Sequence, residues 1–206
     1  MEVNLNEMQS DLIKELMNVG VNESTNILSH ILNTEIELHI PEVRILKAED
    51  LLRELSLLGS TQLTAVNLEF QGGFSGTSQL VFSQESANKL IKIFSREVLD
   101  VEDIDEINSG ALIEIGNIVL NAVLAEFSNF LKNEFEFFVP DFYENYEADF
   151  YSKIYKYSDD VILLGQTLFN ISEYQITGDI VLFMKIESYK HFIKLIDEHL
   201  LSYSEG

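Results

Sequence analysis

The sequence contains no cysteine. Disulfides, thiolate metal sites and thiol nucleophiles are therefore excluded, which suits a reducing compartment. Proline occurs only twice, at Pro41 and Pro140. Basic residues are scarce: 13 Lys and Arg stand against 35 Asp and Glu, a formal charge of −22. A surface this negative repels phosphate backbones and anionic bilayers, so neither nucleic acid nor membrane is an expected partner. No apolar run approaches the roughly 18 residues of a bilayer span. The start, MEVNLNEMQSDLIKEL, lacks the basic end and apolar stretch of a signal peptide. A cytoplasmic protein is the expectation. What the chain does have is bulk: 206 residues, 46% apolar, enough to bury the core of one large domain.

It also repeats itself. Under a displacement of 99 residues Glu15 meets Glu114, Asn18 meets Asn117 and Asn22 meets Asn121. Ser29, Leu32, Glu35 and Glu37 likewise meet Ser128, Leu131, Glu134 and Glu136, and the two prolines coincide. A later block matches at 102, with Gly76 on Gly178 and Glu85-Ser86 on Glu187-Ser188. A period near 100 is too long for a solenoid and reads as a duplicated half-domain. The halves are 1–98 and 106–206.

Both halves carry the same pattern. A long helix comes first, with Leu5, Met8, Leu12, Leu16 and Val19 at spacings of three and four, continued by Ile27, Leu28 and Ile31. Leu112, Ile115, Val119, Ala122 and Phe130 are the counterparts. An alternating strand follows, Glu35 to Ile40 or Glu134 to Val139, closed by proline. Then come two paired strands, 63–70 with 77–82 and 161–170 with 178–186, and a closing helix, 85–94 or 187–200. The segment 47–58 reads as an extra helix, and Leu99 to Asn108 as an acidic connection. Antiparallel strands with helices predict an α+β layered fold, one sheet with long surface helices and pseudo-twofold symmetry, spanning 1–206 as a single domain.

Asp11, Glu15, Asn18 and Asn22 lie at i, i+4, i+7 and i+11, on one helix face opposite the apolar stripe. Gly110, Glu114, Asn117 and Asn121 are their counterparts. From Asn18 the helix travels about 14 residues, roughly 21 Å. A strand of about 7 residues returns roughly 23 Å. Pro41 should therefore lie level with Asn18 and Glu15, and Pro140 level with Asn117. For a single Glu-x-x-Asn a solvated helix face is the plain reading. Its duplication, each copy followed at the same distance by proline, favours a function.

The pattern Asp-x3-Glu-x2-Asn-x22-Pro, here Asp11, Glu15, Asn18 and Pro41, resembles the signature of the CheC, CheX and FliY family of bacterial chemotaxis phosphatases. The second copy stands as Glu114, Asn117 and Pro140, with Gly110 where the family has Asp or Ser. Stretches such as ELMNVGVNESTNILS and SGALIEIGNIVLNAVLAEFS are similar to CheC, and the resemblance covers nearly the whole chain. It implies a CheC-like fold and hydrolysis of the aspartyl phosphate on a CheY-type response regulator. Asn18 and Asn117 would position the attacking water, while Glu15 and Glu114 would dock to a lysine of the regulator. Asp11, Pro41 and Pro140 would shape the docking surface. The complete motif makes the first site the stronger candidate. The resemblance implies no metal or cofactor of this chain's own, since Mg²⁺ would belong to the regulator. The alternative is a non-catalytic module that sequesters a regulator or CheD, a receptor deamidase.

Other features carry less. The histidines, His30, His39, His191 and His199, have no cysteine partners and form no zinc signature. GGFSG at Gly72 to Gly76 lacks the Lys-Ser/Thr of a phosphate loop and reads as a hairpin turn. The aromatic run Phe142 to Tyr157 reads as packing or a structured connection.

Overall fold

In the computed structural model, residues 4–55, 62–98, 104–144, 160–171 and 174–204 are described. Helix α1 (Glu7–Leu32) begins at a capping box. Asn6 Oδ1 accepts from the Gln9 amide and Gln9 Oε1 from the Asn6 amide, both at 2.9 Å. Two otherwise unpaired amides of the first turn are thereby satisfied. The helix closes on Asn33, whose φ of 45° is left-handed, with the Thr34 amide donating to Ser29 O at 3.2 Å. Ninety-nine residues on, α4 (Ile104–Leu131) closes the same way. Lys132 has φ 53° and the Asn133 amide donates to Ser128 O at 3.0 Å.

The remaining elements are β1 (Ile36–His39), β2 (Val43–Leu46), α2 (Ala48–Leu55), β3 (Leu63–Gly72), β4 (Gly76–Ser83), α3 (Gln84–Val98), β5 (Phe135–Phe137), β6 (Asp141–Tyr143), β7 (Asp160–Ile171), β8 (Tyr174–Lys185) and α5 (Ile186–Ser204). The α+β class is as expected. One antiparallel sheet holds all eight strands in the order β1-β7-β8-β4-β3-β5, with β2 also on β7 and β6 also on β3. The order is symmetric about the β8–β4 pair. The register repeats too: Leu38 faces Phe169 and Phe137 faces Phe70, while Arg44 faces Leu164 and Tyr143 faces Ala65. Each pair maps onto the other by the 99-residue displacement read from sequence. The strands that follow each long helix therefore pair with the opposite half of the chain.

Strand alternation divides the core. Ile180, Leu182 and Met184 of β8 enter the large cluster shared with α1, α3, α4 and α5. Val181 and Phe183 enter a smaller one on the other face, with Leu51 of α2 and Ile162 and Leu164 of β7. Helix and strand bulk is exchanged between the halves. A Cβ on Gly116 would lie 2.5 Å from the Val66 Cβ, and one on Gly165 would lie 2.6 Å from the Met17 Cε. Met17 corresponds to Gly116 and Val66 to Gly165, so a large residue meets a missing side chain on opposite sides of the two contacts. On the smaller face Arg44 Nη1 pairs with Glu54 Oε2 at 2.7 Å. Beside them Asp179 is buried, with Oδ1 lacking a hydrogen-bond partner. Burial pushes its carboxyl up to about 7, with Glu54 adding and Arg44 opposing.

Several expectations are corrected. Met8, Val19, Ile27 and Ile31 of the supposed apolar stripe are exposed. The buried seam is Ile13, Leu16, Met17, Gly20, Val21, Ser24, Leu28 and Leu32. Small residues occupy its centre because α4 approaches closely: a Cβ on Gly20 would lie 2.6 Å from the Val123 Cα. Counting only large aliphatic residues therefore shifts the stripe around the helix. The acidic connection ends earlier than read, since Ile104 to Asn108 already belong to α4, and 99–103 lie outside the described residues. The extra helix is Ala48–Leu55. Of the aromatic run only 142–144 is described, and Phe142 and Tyr143 are in β6. The short strands β2 and β6, one after each proline, were not expected.

Over Ser109–Leu131, α4 is long and apolar enough to cross a membrane. Here Leu112, Ile115, Val119, Leu120, Val123, Leu124, Phe127 and Leu131 of this stretch are buried in the core.

Candidate functional site

The two Glu-Asn pairs occupy the middle stretches of α1 and α4, the longest helices. Glu15 and Glu114 are exposed, and neither carboxylate has a hydrogen bond or ion pair among the described residues. Asp11 is exposed and pairs with Lys14 one turn on, at 3.1 Å. Gly110 is exposed, with open space where a Cβ would stand.

The two amides do not share one environment. Asn18 is half-buried and turned toward the end of β1. Its Nδ2 donates to Ile40 O at 2.8 Å and to Lys14 O at 2.9 Å. Its Oδ1 accepts from the Ile40 amide at 2.8 Å. A carboxamide has two donors and two acceptor lone pairs. Asn18 commits three of these four to its own backbone, and the fixed donor and acceptor of Ile40 determine its orientation. Ile40 is buried and immediately precedes Pro41, so the proline does sit level with Asn18. The outward-facing Asn18 expected from sequence is thereby corrected. A buried backbone amide and carbonyl at a strand end need partners, and Asn18 supplies both.

Asn117 is also half-buried but keeps its capacity. Its Oδ1 accepts from Asn121 Nδ2 at 2.6 Å. Its Nδ2 donates to nothing among the described residues. The equivalent of Ile40 is Val139, which is 85% exposed and takes no bond from Asn117. Gly116 contacts Val66, whose register partner Phe142 follows Pro140 by two residues, so Pro140 again lies near the level of the Glu-Asn pair. By available hydrogen bonds the ranking of the two sites is the reverse of the one taken from the motif. The role of Asn121 was not read from sequence, although an Asn one turn after another Asn was a usable signal.

A depression at the β3–β4 hairpin is lined by Gln71, Gly72, Ser75, Glu134, Phe135 and Glu136. It includes none of the candidate residues, and Asn117 is about 21 Å back along α4 from the helix end. Among the described residues no group of three or more His, Asp or Glu is placed to hold a metal ion.

No family model matches the sequence. The CheY-P phosphatase CheC of Bacillus subtilis is 24% identical over 133 residues, which are 62% of this chain and 62% of that protein. The chain is thus similar to CheC in sequence and to FliY and CheX in fold. The match spans less than two thirds of the curated relative. The crystal structure of Thermotoga maritima FliY superposes with a TM-score of 0.69 at 16% identity, over 94% of this chain and 98% of that one. The FliM–SpeE complex of H. pylori gives 0.71 at 11% identity, over 94% and 97%. At these identities the structural likenesses establish the fold alone.

Proposed function

We propose that this CheC-type chain is a phosphatase that hydrolyses the aspartyl phosphate of a CheY-type response regulator, and that its second site, Glu114 and Asn117, performs the reaction. The observation that carries the reading is that, among the described residues, Asn117 keeps its Nδ2 donors and one Oδ1 lone pair without a partner, one turn from an exposed carboxylate that has none either. An acyl phosphate is a reactive anhydride and needs neither a strong base nor a new nucleophile. It needs a water held in line. Asn117 Oδ1 can accept one hydrogen of that water, while Nδ2 donates to a phosphoryl oxygen. The water oxygen bonds to phosphorus, the bond from phosphorus to the aspartyl oxygen breaks, and the carboxylate leaves with the electron pair. The proton passes to solvent or to the phosphate released. Glu114 docks to a cation of the regulator, a charge-assisted contact worth about 1.5–3 kcal/mol when well formed.

The open helix face supports a macromolecular substrate. Small-molecule sites enclose most of their ligand, whereas this surface can only meet a partner that brings its own pocket. The divalent ion of such a reaction would be the regulator's. In the first half, Asn18 serves as a backbone clamp, and Glu15 remains available for docking. That clamp also favours a second reading, in which the α1 face binds a regulator or CheD without turnover.

The test is phosphate release from a receiver domain charged with acetyl phosphate. Acceleration by a substoichiometric amount of this protein supports catalysis. Slower release in a stoichiometric complex means sequestration and overturns the reading.

A further inference from the structure

We propose that Asn121 is the positioning residue of the second site, fixing which end of the Asn117 carboxamide meets the water. The proposal rests on the phosphatase reading above. Asn121 Nδ2 donates to the backbone oxygen of Asn117 at 2.8 Å and to its Oδ1 at 2.6 Å. A backbone carbonyl can only accept, so the Asn121 atom facing it is the nitrogen. The Asn117 atom facing that nitrogen is therefore the oxygen. The helix backbone is thus the reference against which Asn121 orients Asn117.

The arrangement has a chemical consequence. One Oδ1 lone pair is engaged, leaving the second for a water hydrogen and both Nδ2 protons for a phosphoryl oxygen. Without Asn121 the amide could turn over and present nitrogen where the water needs an acceptor. The first half has no such device. Asn22, the equivalent of Asn121, is exposed and makes no bond to Asn18. There the Ile40 backbone holds the amide instead.

Asn121→Asp preserves size but replaces the donor by an acceptor. It draws Asn117 Nδ2 inward and turns the oxygen away. With the charged receiver as substrate, kcat should fall about tenfold, as for other groups that orient a reacting partner, while KM changes less than twofold. Asn121→Ala, which only unlocks the amide, should fall between this variant and the wild type and keeps the test open if the Asp variant misfolds. The side-chain amide pair of Asn117 in a ¹⁵N spectrum, assigned by its loss in Asn117→Ala, should shift in both variants. A wild type that turns over together with position-121 variants that match it overturns the role of Asn121 alone. A wild type without turnover overturns the phosphatase reading, and this role with it, even where the amide pair still shifts. A fall confined to KM would make Asn121 a docking residue and also contradict the proposal.

Discussion

Removing the two equivalent amides should have unequal consequences for folding. Asn18→Ala strips the buried Ile40 backbone of a donor and an acceptor, each bonded at 2.8 Å. Ile40 has no exposed surface in the folded chain. An unsatisfied buried group costs about 1–3 kcal/mol, so the pair should cost about 2–4 kcal/mol after partial relaxation. In a chain of this size each kcal/mol lowers the thermal midpoint by about 2–4 °C, giving a fall of about 4–16 °C. Asn117→Ala breaks one contact with a neighbouring side chain and gains helix propensity, so its stability should stay within about 0.5 kcal/mol of wild type. Urea unfolding with an unchanged slope is the assay, because a changed slope would report a changed denatured state rather than a lost contact. Should Asn18→Ala lose less than about 0.5 kcal/mol, or both variants lose the same amount, the clamp is wrong.

Three further outcomes follow from the geometry. Asp179 has its folded pKa raised to about 7, above the unfolded value of about 3.9. The folded state therefore holds the proton more tightly, and stability is lost as pH rises from about 4 to about 7. Asp179→Asn should be neutral at pH 4 and stabilising at pH 8, by at most about 4 kcal/mol. A denaturation series across that range checks it, and an equal effect at both pH values would contradict it. Gly20→Ala places a methyl 2.6 Å from the Val123 Cα and should cost about 1–3 kcal/mol by urea unfolding. If Glu114 docks as proposed, Glu114→Gln should raise KM for the charged receiver while leaving kcat within a few-fold. A loss confined to kcat would assign it another role.

Much of the fold was legible because long elements carry long signals. The polar face of α1 and the level of Pro41 followed from helical angle and element length alone. The buried seam did not, because Gly20 and Ser24 hold it for close contact with α4, and hydrophobic size is the wrong measure where backbones touch. Strands β2 and β6, of four and three residues, are too short to show alternation. The two Glu-Asn pairs were visible as residue types, yet the state of each amide was not. Whether a carboxamide is free depends on what the chain brings beside it. Ile40, at the far end of a returning strand, uses up Asn18, while the exposed Val139 leaves Asn117 its donors. A complete motif and an available site were thus different properties.

The most direct test compares phosphate release from a charged receiver domain by wild type, Asn18→Ala and Asn117→Ala, each at a temperature where it is folded. Asn117→Ala should lose most of the acceleration and Asn18→Ala should retain most of it. Full activity in Asn117→Ala, or its loss only in Asn18→Ala, would contradict the claim that the second helix carries the working amide.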